Sequence, residues 1–135
     1  MTSTKPVMLT VFLANALQDQ PLAALVANTL KEAGFRVRSE ATTRAVSERQ
    51  SEVRDALRES DAYVILASTQ SISSPWTPFE IGAVMALEKP IFVIKLNADP
   101  LPAYLAHLRV LAPSELPTLV AELKAVRAPR LRQPA

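Results

Sequence analysis

The chain has 135 residues, of which 49% are hydrophobic and 21% are charged, a composition typical of one globular domain rather than a disordered segment. Its formal net charge of +2 at pH 7 gives no reason to expect a nucleic-acid partner, and its lack of cysteine excludes disulfides, thiolate catalysis and cysteine-ligated zinc. No apolar run approaches the ~20 residues of a membrane span and the first residues lack a signal-peptide pattern, so we expect a cytoplasmic protein without membrane contact.

Short apolar runs alternate with helical patterns along the chain. The runs predict five β-strands, at Val7–Leu13, Phe35–Val37, Tyr63–Ala67, Ile91–Leu96 and Leu108–Leu111. Apolar residues at helical spacing predict helices that include Leu22–Leu30, Ser47–Leu57, Phe79–Leu87 and Leu116–Leu123. Ser47 followed by Gln50 is a capping-box signal for the second helix, and Gly34 stands where a left-handed residue would end the first.

This alternation predicts a parallel, doubly wound sheet with helices on both faces. The third and fourth predicted strands are continuously apolar, as expected for strands that helices cover on both faces. In such a sheet the functional cleft lies at the carboxyl ends of the strands, here between the first and the third. We expect one domain over residues 1–128, followed by a basic, frayed tail over residues 129–135.

The residues that follow the strands restrict the chemistry of this cleft. A phosphoacceptor receiver domain needs an aspartate at the end of the third strand, where this chain has Ala67 and Ser68. Dinucleotide fingerprints and P-loops need several glycines, and the chain has two in all. The single histidine, His107, is expected to be an ordinary surface residue far from any nucleophilic serine, and no metal-ligand cluster is visible.

Glu80 remains, and two interpretations of it are open. Thr77-Pro78-Phe79-Glu80 matches a capping box with proline at the first helical position, which would make Glu80 a helix cap. Alternatively, Glu80 is the chemical centre, because its helix follows the third strand and therefore begins in the cleft. Trp76 lies four residues earlier, either as a lid over the helix or as an aromatic wall of a pocket.

Two stretches resemble a known family. VFLANALQDQPLAALVANTLKEAGFRV resembles the first strand and helix of bacterial Toll/interleukin-1 receptor (TIR) domains, and SDAYVILASTQSISSPWTPFEIGAVMALEKPIFVIKL resembles their third strand, glutamate-bearing helix and fourth strand. The resemblance covers about residues 7 to 97. It implies a flavodoxin-like, three-layer α/β fold with strand order 2-1-3-4-5. It also implies self-association or assembly with other TIR domains in signalling and, in many bacterial members, cleavage of the nicotinamide–ribose bond of NAD.

The resemblance also assigns roles to residues. Glu80 matches the family's catalytic glutamate in a Trp-x-x-x-Glu pattern. Asn15 and its neighbours match the loop that lines the nucleotide pocket, and the segment from Thr42 to Val46 matches the loop that covers it. The substrate-binding residues implied by the resemblance are Ala14, Asn15, Thr42, Thr43, Ser68, Ser71 and Trp76. NAD is then the substrate, and neither a cofactor nor a metal is expected.

A single carboxylate suffices for this chemistry. Glycosidases ordinarily use two carboxylates, one of which protonates the leaving group. The nicotinamide of NAD is already cationic and leaves without a proton, so one anion beside the ribose can stabilise the developing oxocarbenium charge. A tryptophan face can stack on the base or on the nicotinamide ring.

Two other functions stay open at this point. EIGAVMALEKP is similar to a segment of nucleoside 2-deoxyribosyltransferases that also carries a catalytic glutamate, although the additional aspartates of those enzymes are not found. The second alternative is a TIR module that assembles without catalysis. The chain departs from the TIR pattern at Ala14-Asn15, where Ser-Tyr is frequent, and at Ala45-Val46, where Pro-Gly is usual.

Overall fold

A five-stranded sheet forms the centre of the structure, a computed structural model that describes residues 8–41 and 54–126. The strands are β1 (Thr10–Asn15), β2 (Arg36–Ala41), β3 (Ala62–Ala67), β4 (Ile91–Lys95) and β5 (Arg109–Leu111). Their order is β2-β1-β3-β4-β5, and every neighbouring pair is parallel. The predicted flavodoxin-like topology is therefore confirmed.

The helical segments of the described residues are α1 (Gln20–Glu32), α2 (residues 54–59), α3 (Thr69–Ser73), α4 (Trp76–Ala86), α5 (Ala103–Ala106) and α6 (Leu116–Lys124). Two 3-10 turns, Leu17–Asp19 and Pro113–Glu115, lead into α1 and α6. No helix within these ranges is long and apolar enough to cross a membrane. The predicted cap of the second helix, Ser47 with Gln50, lies outside the described residues, as does the predicted tail over residues 129–135.

Apolar layers cover both faces of the sheet, because alternate residues of a strand point to opposite sides. On one face, Val11 and Leu13 of β1 belong to a cluster with residues of α1 and α6. On the other face lies the α4 layer, whose buried residues include Phe12, Tyr63, Trp76, Ile81, Val84 and Leu105. Every residue of β1 and β3 is buried, which accounts for their apolar sequences and confirms the predicted helices on both faces.

The first two strands end later than their apolar patterns predict, and β1 begins at Thr10 within the described residues. β1 ends at Asn15, beyond the predicted Leu13, and β2 continues to Ala41 instead of ending at Val37. β2 is an edge strand, so polar side chains are tolerated along it and the apolar pattern marks only its beginning. Its length is determined by backbone pairing with β1, which continues in register to the pair Asn15 and Ala41.

Helix α1 ends at Gly34, as its sequence predicts. Gly34 has a φ of 101°, in the region that favours glycine. Its N–H donates to the Lys31 carbonyl, and the Phe35 N–H donates to the Leu30 carbonyl, both at 3.0 Å. This Schellman arrangement satisfies the last carbonyls of the helix and turns the chain into β2.

Gly34→Ala and Gly82→Ala are expected to change the free energy of unfolding in opposite directions, although each adds one methyl group. Neither added Cβ would meet an atom within 4 Å. The backbone conformation at each position therefore decides whether the free energy of unfolding rises or falls. Alanine at Gly34 costs about 1–2 kcal/mol in the left-handed region, whereas alanine at Gly82, inside α4, gains about 1 kcal/mol of helix propensity. Urea unfolding of both variants measures the difference, and equal stabilities would contradict this assignment.

Candidate functional site

A cleft of ≈ 550 Å³ opens between the ends of β1 and β3. It lies where the order of the sheet reverses, which is the position that the predicted topology gives to a functional cleft. One wall consists of Ala16, Leu17 and Gln18, and the other of Thr69, Gln70, Ser71, Ser73 and Ser74. Apart from the apolar Ala16 and Leu17, these lining side chains carry hydroxyl and amide groups and no ionisable group, so the cleft suits a neutral ligand portion with hydroxyl groups.

Two buried serines connect the walls of the cleft. Ser68 is the N-cap of α3, where its Oγ accepts from the Ser71 N–H at 3.1 Å and the Ser71 Oγ accepts from the Ser68 N–H at 2.8 Å. The Ser68 hydroxyl also donates to Asp19 Oδ2 at 2.6 Å, across from β3 to the turn after β1. The Ser71 hydroxyl donates to the Leu66 carbonyl at 2.7 Å. Ser68 and Ser71 thus hold the shape of the cleft in this structure.

Asn15 is buried beside the same cleft, with 1% of its surface exposed. Its Nδ2 donates to the Ala16 carbonyl at 2.7 Å and to Gln20 Oε1 at 2.8 Å. Its Oδ1 is buried without a hydrogen-bond partner among the described residues. Ala14, by contrast, is an apolar member of the α4 layer. Thr42 and Thr43 lie outside the described residues.

The start of α4 corrects the capping-box interpretation of Glu80. The helix begins at Trp76, its N-cap residue Pro75 offers no side-chain cap, and the Trp76 N–H donates to Ser74 Oγ at 3.2 Å. Thr77 lies inside the first turn, where its hydroxyl donates to the Ser71 carbonyl at 2.6 Å instead of capping a backbone N–H. Pro78 is therefore the third helical residue, which tolerates proline because the first turn has no intrahelical acceptor for its N–H groups.

The Glu80 carboxylate lies in the interior, with 3% of the residue exposed. Its Oε1 accepts a hydrogen bond from the Tyr63 hydroxyl at 2.8 Å. Tyr63 is a β3 residue that is 1% exposed, and sequence analysis assigned it no functional role. The available signal was a phenol in an otherwise apolar strand, since a buried tyrosine hydroxyl usually needs a partner.

Trp76 packs as a core residue. It is 2% exposed and belongs to the α4 layer. Its ring stacks on Phe79, with ring centroids 4.9 Å apart and an interplanar angle of 28°. Trp76 is therefore the first residue of α4 and lies below the protein surface.

The Lys89-Pro90 pair of the deoxyribosyltransferase-like segment has a structural role. The Lys89 ammonium donates to the carbonyls of Leu57 at 3.2 Å, of Arg58 at 2.7 Å and of Ser60. These carbonyls end α2, so Lys89 acts as a charged cap for that helix.

The described residues offer neither a metal-ligand cluster nor a buried histidine. No group of three or more His, Cys, Asp or Glu side chains within residues 8–41 and 54–126 could hold a metal ion. His107 follows α5 and lies exposed, with its Nδ1 3.1 Å from the Ala103 carbonyl, as expected for a surface histidine.

The chain matches one protein family and is similar in fold to several solved structures. A family model described as TIR domain matches residues 11–119. The TIR domain of the Toll-related receptor TRR-2 from Hydra magnipapillata superposes with a TM-score of 0.65 at 17% identity, over 85% of this chain and 94% of that one. No curated protein matches the sequence.

Two further solved structures share the fold at low identity. The CMP N-glycosidase BcmB of Clostridium botulinum has a TM-score of 0.59 at 19% identity, over 85% of this chain and 98% of its own. A 3-dehydroquinate dehydratase-like protein from Bifidobacterium longum has a TM-score of 0.58 at 19% identity, over 93% of this chain and 100% of its own. At these identities the likenesses show the fold alone.

Proposed function

The chain belongs to the TIR domain family, and from that premise we propose that it hydrolyses the nicotinamide–ribose bond of NAD with Glu80 as the essential carboxylate. The observation that carries the proposal is the buried position of the Glu80 carboxylate, which accepts a hydrogen bond from the Tyr63 hydroxyl. Burying a carboxylate costs free energy, so its presence in a core layer favours a chemical use. The likeness to a CMP N-glycosidase supports nucleotide N-glycosidic cleavage on this fold.

The proposed reaction is a substitution at the anomeric carbon of the ribose. The C1′–N bond breaks, and its electron pair neutralises the cationic nicotinamide ring. The Glu80 carboxylate stabilises the positive charge that develops on the ribose. Water then adds at C1′ and loses one proton, so NAD and water give nicotinamide, ADP-ribose and one proton.

The chain's own residues supply matching groups for the neutral parts of the substrate. Gln18, Thr69 and Gln70 of the cleft walls present hydroxyl and amide groups that suit ribose hydroxyls or the carboxamide. Asn15 Oδ1 is an acceptor without a partner in the described structure, next to the cleft residue Ala16, and we assign it to a donor of the substrate. Ser68 shapes the pocket through Asp19, and Trp76 supports the helix that carries Glu80.

Incubation of the concentrated protein with NAD, followed by chromatography, tests this proposal. We expect nicotinamide to appear in proportion to protein and time, because the bond that breaks releases it directly. CMP in a parallel incubation tests cleavage of a pyrimidine nucleotide, the substrate named for the structural neighbour BcmB. Added labelled nicotinamide detects base exchange, as a transferase would perform it. Absence of nicotinamide at every protein concentration would contradict NAD cleavage.

A second candidate is an assembly module that interacts with other TIR domains. Among the described residues, large apolar side chains remain about half exposed on the surface, namely Met8 (49%), Leu17 (57%), Leu25 (55%), Phe79 (48%) and Met85 (48%). Exposed apolar side chains favour protein contacts when they lie in one patch. Sedimentation velocity over a range of concentrations tests self-association independently of turnover.

A further inference from the structure

The Tyr63 hydroxyl and the Glu80 carboxylate form a buried hydrogen bond between β3 and α4. We propose that Tyr63 is a positioning residue whose hydroxyl fixes the Glu80 carboxylate before substrate binds. The inference rests on the proposed function for its catalytic part, but the fixing of Glu80 is a property of the protein alone.

The hydrogen bond itself has an ordinary length and is shielded from water. The Tyr63 hydroxyl lies 2.8 Å from Glu80 Oε1, and the two residues are 1% and 3% exposed. A hydroxyl that donates to a carboxylate makes a charge-assisted bond, which is stronger than one between neutral groups. Water does not compete effectively for either atom in a buried layer, so the bond strongly favours one carboxylate orientation.

The position of the hydroxyl is determined by the sheet. Tyr63 of β3 is paired directly with Phe12 of β1, and their rings stack with centroids 5.6 Å apart and an interplanar angle of 13°. The stack restricts the phenol ring, and the ring is rigid from Cβ to the oxygen. The donor is therefore held by the central strands, while Glu80 is supplied by α4.

Such an arrangement acts on the rate of the chemical step. A carboxylate that is already oriented loses little freedom when charge develops on the ribose, so the benefit appears in the transition state. Loss of the hydroxyl should consequently lower kcat more than it changes KM. A displacement of about 1 Å in a reacting group can reduce a rate by roughly 100-fold.

Tyr104 provides a matched control in the same layer. It packs against the α4 layer, and its hydroxyl is buried without a hydrogen-bond partner in the described part of the chain. Burial raises the pKa of Tyr104 above its ordinary value, so its phenol stays neutral. Tyr104→Phe therefore removes the same oxygen atom from the same layer without removing a bond to Glu80.

The experiment compares wild type, Tyr63→Phe and Tyr104→Phe in two ways. The first is the ¹³C signal of the Glu80 carboxyl at one pH, assigned by its absence from Glu80→Gln. The second is kcat and KM for NAD. We expect Tyr63→Phe to shift the Glu80 signal and to lower kcat about 10–100-fold with little change in KM. We expect Tyr104→Phe to do neither.

Several results would overturn the inference. If the Glu80 carboxyl signal does not move in Tyr63→Phe, the hydroxyl does not position the carboxylate. The same conclusion follows if wild type turns over NAD and Tyr63→Phe has an unchanged kcat. Inactive wild type contradicts the proposed function, while the carboxyl signal still decides whether Tyr63 holds Glu80. Circular dichroism establishes that both variants fold. If Tyr63→Phe fails to fold, a cross-peak between the Tyr63 hydroxyl proton and the Glu80 carboxyl carbon in the wild-type protein decides instead, and its absence overturns the inference.

Discussion

Glu80→Gln is expected to abolish nicotinamide release while leaving the fold intact. Glutamine has the size of glutamate, and its amide oxygen can still accept the hydrogen bond from Tyr63. The negative charge is lost, however, and with it the stabilisation of the ribosyl cation. Removal of one preorganised electrostatic group typically costs about 10²–10³ in kcat, and we expect a loss at least that large. Chromatography of NAD incubations measures it.

Glu88→Gln is the matched control for this prediction. Glu88 is an exposed carboxylate just after α4, the helix that carries Glu80, and the substitution makes the same change of charge. We expect wild-type turnover from it. Thermal unfolding should show Glu80→Gln to be folded, and nicotinamide release at the wild-type rate by Glu80→Gln would refute the catalytic assignment.

Trp76→Ala is expected to lower the free energy of unfolding by about 3–5 kcal/mol, because it leaves a large cavity in the core. Trp76 is the first residue of α4 and is 2% exposed in the α4 layer. Domains of this kind have unfolding free energies of about 5–15 kcal/mol, so the loss is a large fraction of the total. Denaturant unfolding monitored by circular dichroism measures it.

Phe79→Ala is the control for Trp76→Ala, because it also removes an aromatic ring but leaves no cavity in the core. Phe79 stacks on Trp76 but is 48% exposed, so its truncation should cost about 1 kcal/mol, mainly the aromatic contact. If Trp76→Ala were instead as stable as wild type but bound NAD poorly, Trp76 would be a substrate contact and the core assignment would be wrong. Trp76→Phe should retain most of the stability, because it keeps an aromatic ring in the layer.

The sequence alone determined the architecture of this protein. The continuous apolar runs at β3 and β4 predicted strands covered on both faces, and the alternation with helical patterns predicted the parallel sheet. Gly34 predicted the end of α1, because a left-handed residue has a local steric cause. These features depend on burial and on backbone sterics, which leave a periodic or local signal in the order of residues.

Only the tertiary structure decided the surroundings of Glu80. The local pattern Thr77-Pro78-Phe79-Glu80 predicted a cap, yet the Thr77 hydroxyl bonds the Ser71 carbonyl and α4 begins at Trp76. The bond from Tyr63 to Glu80 joins residues 17 positions apart, from a strand and a helix. Ser68 likewise meets Asp19 across 49 positions. Such contacts depend on how the sheet and helices pack, and residue spacing along the chain carries no periodic signal for them.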